Sequence, residues 1–194
     1  MLRFSSSCLM VVAACSGGAR DAGPSGRRDP GVATGRTDGT HGGARPPRPL
    51  DAALVDQLAG VAVAGSDVKV VRRSDAEMAS IVAAPGGTRV TVTASACLAC
   101  TPIELAAWEA RRAELAALWA PVETAGDKLA LSAETVAGRT VIAIDASRIV
   151  DGELRHTYQL HWNDGATQLA AVCEAEGCAP TASASLAAYL AVLN

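Results

Sequence analysis

The chain has 194 residues and a formal net charge of −3, with 49% hydrophobic but only 3% aromatic residues, a length that allows one domain of ordinary size plus a tail. Alanine supplies 41 residues and the single Phe is Phe4, so a core has to be built from Leu, Val, Ile and a few Trp and Tyr. Residues 16–49 carry +3 (six Arg, three Asp) and residues 50–194 carry −7 (ten basic, seventeen acidic), and an acidic domain argues against nucleic acid as a partner, because that binding depends on neutralising phosphates.

The amino terminus has Arg3, then a mostly apolar run from Phe4 to Ala14, then Cys15. A short apolar run after a basic residue and ending in small residues is the order of an export signal. The run is about half of the twenty residues that a bilayer core demands, so a spanning helix is not expected. Val12-Ala13-Ala14-Cys15 resembles the lipobox of bacterial lipoproteins, which are cut by signal peptidase II before a cysteine that carries a diacylglyceryl group. The resemblance implies a signal peptide at 1–14, lipidation of Cys15 and attachment to the cell envelope. Ser16 after that cysteine resembles the sorting pattern of the outer membrane, facing the periplasm or the cell surface. Several acyl chains hold far more firmly than one, by roughly 0.8 kcal/mol per buried methylene.

Residues 16–49 contain nine Gly and five Pro and almost no large apolar side chain. Such a stretch cannot bury enough surface to offset its ordering entropy, which predicts a disordered tether over 15–49. Its root-mean-square span is about 30 Å. Its Arg residues either rest on anionic envelope polymers or keep the tether soluble.

The domain is expected over 50–194. Leu50, Leu54, Leu58 and Val61 fall at helical spacing, and Asp67 to Arg73 reads as a strand with a solvated Lys-Arg-Arg edge. Met78 to Ala83 and Thr88 to Ser95 flank Ala84-Pro85-Gly86-Gly87, a hairpin. Thr101, Pro102 and Glu104 form a capping-box pattern, predicting a helix from Thr101 to about Trp119. Its Leu105, Trp108, Leu115 and Trp119 share a stripe, with Glu109/Arg112 and Arg111/Glu114 spaced for surface pairs. Pro121 stops it.

Four strands follow, at Lys128 to Ala133, Arg139 to Ala146, His156 to Trp162 and Thr167 to Cys173. Val141 to Ile144 is apolar on both faces, which suggests a central strand, and Asn163-Asp164-Gly165 is a tight turn. Thr181 or Ser183 can cap a last helix that packs Leu186, Tyr189, Leu190 and Leu193 inward. The fold class is α+β: an antiparallel sheet with helices packed against it. This element order resembles that of the PsbP/Mog1 group of domains.

Cys97-Leu98-Ala99-Cys100 ahead of a helix resembles the thioredoxin family, which implies a thiol-disulfide oxidoreductase with Cys97 and Cys100 as its catalytic pair. The spacer lacks the family's proline or histidine, and no proline is placed to face the motif as the family's cis-proline does. The alternative is a structural disulfide, since exported cysteines tend to pair. Cys97, Cys100, Cys173 and Cys178 allow three pairings, of which Cys97 with Cys100 and Cys173 with Cys178 are both short-range. Four thiolates on zinc are the third reading, disfavoured by an oxidising environment, so no metal and no cofactor is expected.

His156 and His161 lie on opposite faces of one strand, and Asp145, Asp151, Glu174 and Glu176 show no acid-base spacing. No phosphate loop and no Gly-x-Ser-x-Gly elbow occurs. The expectation is a non-catalytic module that meets the membrane through Cys15 and binds an envelope protein or a cell-wall component.

Overall fold

The computed structural model describes residues 50–75, 77–97, 99–119 and 128–193. The lipobox, the tether and Pro121 lie outside them, as does the side chain of Trp119. Within the described residues the element order is α1 (Ala52–Ala59), β1 (Asp67–Arg73), β2 (Glu77–Ala83), β3 (Arg89–Ala96), α2 (Leu105–Glu109), α3 (Arg112–Trp119), β4 (Lys128–Val136), β5 (Arg139–Val150), β6 (Glu153–Asn163), β7 (Thr167–Cys173) and α4 (Ala179–Leu190). The strands form one seven-stranded sheet in the order β1-β2-β3-β7-β6-β5-β4. Every pairing is antiparallel. The fold is α+β, as the alternation of the strands requires.

Strand alternation sorts the side chains onto two faces. On the first face, Met78, Val82, Val90, Val92, Leu160, Trp162, Leu169 and Ala171 are buried beneath α1 and α4, which contribute Leu58, Leu186, Tyr189 and Leu190. Each large aliphatic buried this fully stabilises by roughly 1.5–3 kcal/mol. On the second face, Ile142 and Ile144 of β5 meet Trp108 of α2 and Leu115 of α3. Val141 to Ile144 is therefore buried on both sides. It is interior to the sheet yet next to its edge, because helices cover it from above and below rather than because it is central.

The turns follow from backbone chemistry. Asp164 Oδ1 accepts from the backbone N–H groups of Ala166 and Thr167, at 2.8 and 2.7 Å, which closes the predicted turn after β6. Asp151 (φ 55°) and Gly152 (φ 81°) turn β5 into β6. Two successive residues in the left-handed region suit the right-handed twist of a hairpin. The two strands consequently run longer than their apolar cores indicate, reaching Val150 and starting at Glu153.

Two helix starts depart from expectation. α2 begins at Leu105, not at Thr101, and its cap position Glu104 makes no side-chain hydrogen bond. The capping groups of Thr101 are used elsewhere: its carbonyl accepts from Asn163 Nδ2 at 3.0 Å and its hydroxyl pairs with Arg111. The helical stretch is also divided into α2 and α3. α4 begins at Ala179, ahead of Thr181, with Pro180 in its first turn, where a missing N–H costs nothing.

Candidate functional site: the Cys97–Cys100 corner

β3 delivers Cys97 to one end of the sheet, where its N–H donates to the Ala166 carbonyl at 2.7 Å. The Cys97 and Cys100 sulfurs stand 1.93 Å apart, a disulfide across a separation of three residues. Both cysteines are half-buried. Cys100 Sγ lies 3.3 Å from Gln168 Oε1, and Gln168 Nε2 donates to Ser95 Oγ at 2.6 Å. A disulfide sulfur has no proton to donate, so this contact is a close approach in the oxidised form and becomes an S–H to carbonyl hydrogen bond in the dithiol.

The loop after Cys100 is bound to the sheet and to α2 by tertiary hydrogen bonds. Asn163 reaches the Thr101 carbonyl, and Trp108 Nε1 donates to the Pro102 carbonyl at 3.0 Å. Trp108 in turn stacks on His161 of β6, ring centroids 4.9 Å apart at 42°. Beneath it, His161 Nε2 and Gln159 Oε1 are 3.1 Å apart. Burial holds the imidazole of His161 down at about 4, so the ring is neutral at physiological pH and can donate to the amide oxygen. Gln159 is 1% exposed, and its Nε2 has no hydrogen-bond partner among the described residues.

What can this corner do chemically? In the thioredoxin arrangement the helix amino terminus activates the first cysteine. Here α2 starts five residues after Cys100 and is only five residues long, so the helix dipole contributes little at either sulfur. Arg111, which reaches the Thr101 hydroxyl, is paired with Glu114 at 2.9 and 2.8 Å. That pairing holds the Glu114 carboxyl below its usual range.

The remaining candidates are dispersed. Cys173 and Cys178 form a second disulfide, 1.98 Å between sulfurs, which joins the end of β7 to the start of α4 inside the main core. His156 and His161 face opposite sides of β6. Asp145, Asp151, Glu174 and Glu176 are exposed. Among the described residues no three His, Cys, Asp or Glu side chains come together as metal ligands. Sequence reading passed over one polar pair: the Tyr158 hydroxyl donates to Glu134 Oε1 at 2.8 Å, across β5. Burial and that carboxylate push the phenol far above its ordinary value. It also passed over the interior position of Gln159, although its alternation with His161 on β6 was a readable signal.

No family model matches this chain, and no curated protein matches it. A solved structure is similar. The crystal structure of LpqN, involved in cell envelope biogenesis of Mycobacterium tuberculosis, aligns at 17% identity with a TM-score of 0.39, covering 77% of this chain and 83% of its own. Among the described residues, no helix is long and apolar enough to cross a membrane.

Proposed function

We propose that this chain is a lipid-anchored protein of the cell envelope, attached through a diacylglyceryl group on Cys15, whose domain binds an envelope protein or a cell-surface component and is not itself catalytic. The observation that carries the reading is Val12-Ala13-Ala14-Cys15 at the end of an apolar run preceded by Arg3. Two further features support it. Both domain cysteine pairs stand at disulfide distance, which fits an oxidising compartment. The Gly- and Pro-rich residues 16–49 provide a leash about 30 Å in mean span between lipid and domain. Outer-membrane placement rests on Ser16.

Cell fractionation tests the anchor. The natural chain is expected in the membrane fraction and resistant to carbonate extraction, and Cys15→Ser is expected in the soluble envelope fraction; equal partitioning of the two overturns the reading. Cross-linking from intact cells then identifies what the leashed domain touches.

A second reading, a tethered thiol-disulfide oxidoreductase, is favoured by the half-buried setting of Cys97 and Cys100. Insulin reduction decides between them: turnover that is lost in Cys97→Ser supports the enzyme, and absence of turnover in the natural protein supports the binding module.

A further inference from the structure

The two disulfides are held in opposite ways. Cys173 and Cys178 are 1% and 3% exposed and belong to the apolar core beneath α4. Cys97 and Cys100 are half-buried at the sheet end, within reach of a reductant in solution. The layer that follows this half-buried pair is built from short helices. α2 and α3 have five and eight residues, each shorter than an isolated helix needs to persist in water. Their buried contribution to the second face is Trp108 and Leu115. Half-buried Ile103, Leu105 and Ala107 add to that packing, and among the described residues the hydrogen bonds that tie this layer down are the Asn163 to Thr101 bond, continued by Trp108 to Pro102 and Arg111 to Thr101, and the bond from Arg112 Nη1 to the Leu129 carbonyl at 2.7 Å. Three of these four bonds converge on Thr101 and Pro102, the two residues that directly follow Cys100.

We propose that the Cys97–Cys100 disulfide is a redox latch for the α2–α3 layer: its reduction frees the Thr101–Pro102 loop, unseats Trp108 from His161, and uncovers Ile142, Ile144 and the Gln159–His161 pair. The reductant is a dithiol donor. The Cys97–Cys100 bond breaks, one sulfur–sulfur bond forms in the donor, and two electrons and two protons pass to the cysteines. Gln168 is already placed to receive the new Cys100 thiol, because its amide oxygen faces the sulfur at 3.3 Å while its nitrogen is held by Ser95. The reduced form can therefore gain a hydrogen bond as it loses a covalent one. The latch requires only the domain and does not depend on the lipid anchor. It also differs from catalysis: it is stoichiometric, with no turnover of a disulfide substrate.

The test is hydrogen exchange with mass spectrometry on the full-length protein in detergent, before and after dithiothreitol at a dose that alkylation mapping shows to reduce one pair. Cys97 and Cys100 are expected to be alkylated first. Amides of 105–119 and of 142–146 are expected to exchange about tenfold or more faster after reduction, and those of 182–190 to change by less than about twofold. The double variant Cys97→Ser/Cys100→Ser is expected to show the same opening without reductant, and Cys173→Ser/Cys178→Ser to leave 105–119 protected. Simultaneous reduction of both pairs overturns the proposal. So does unchanged protection of 105–119 once Cys97 and Cys100 are reduced.

Discussion

The two faces of the sheet are covered by unequal layers. On the first face, α4 lays twelve residues over β3, β7 and β6, with Leu186 and Tyr189 fully buried and Leu190 1% exposed. On the second, two short helices bury Trp108 and Leu115 against Ile142 and Ile144. Apolar area decides which layer carries the stability, and the second face compensates with hydrogen bonds and a disulfide at its rim. The same contrast divides the cysteine pairs. One is sealed into the stable layer, and the other fastens the weaker layer from outside.

The largest effect is expected from the first face. Leu186→Ala removes a fully buried side chain and should cost about 4 kcal/mol, whereas Leu115→Ala, at a residue 5% exposed on a short helix that can settle, should cost about 2 kcal/mol in urea denaturation. Equal costs would erase the contrast between the layers.

Next comes acid. His161 has a folded-state value of about 4 against an ordinary 6.5, so below pH 6.5 the unfolded chain binds a proton that the native one refuses. Stability is full above that pH and falls as pH drops toward 4, by about 3 kcal/mol in all. Denaturation midpoints across pH 4–7 should flatten in His161→Gln, and an unchanged slope would mean that the ring is not sealed by Trp108.

Removing the inner disulfide as Cys173→Ala/Cys178→Ala should cost about 2 kcal/mol by loop closure, beyond any lost packing. Its reduced midpoint should then match that of the reduced natural protein. The smallest change belongs to the hairpin tip outside both layers. Gly152 has φ 81° with open space where a Cβ would go, so Gly152→Ala should cost only about 1 kcal/mol, through backbone conformation alone.

Most of the strand plan was readable from alternation and turns. Thr167 to Cys173 and Asp67 to Arg73 match the expected bounds, because their signals are local. The Asp151-Gly152 turn carried the same kind of signal, and overlooking it left 147–155 outside the expected strands. The start of α2 was not recoverable from its own residues. Thr101, Pro102 and Glu104 make a sound capping pattern, yet Asn163, from a strand formed 62 residues later, takes the Thr101 carbonyl. Partners that distant leave no trace in a window of one helix. The candidate corner was legible as a CxxC motif. Its setting was not: that Gln168 faces Cys100 and that Trp108 roofs His161 both depend on sheet register.

The central claim is that export and lipidation place this domain in the envelope, and mass measurement of the mature amino terminus tests it most directly. Protein recovered from its native membranes is predicted to begin at Cys15 and to carry the mass of a diacylglyceryl group. An amino terminus at Met1 with an unmodified Cys15 thiol would contradict the account.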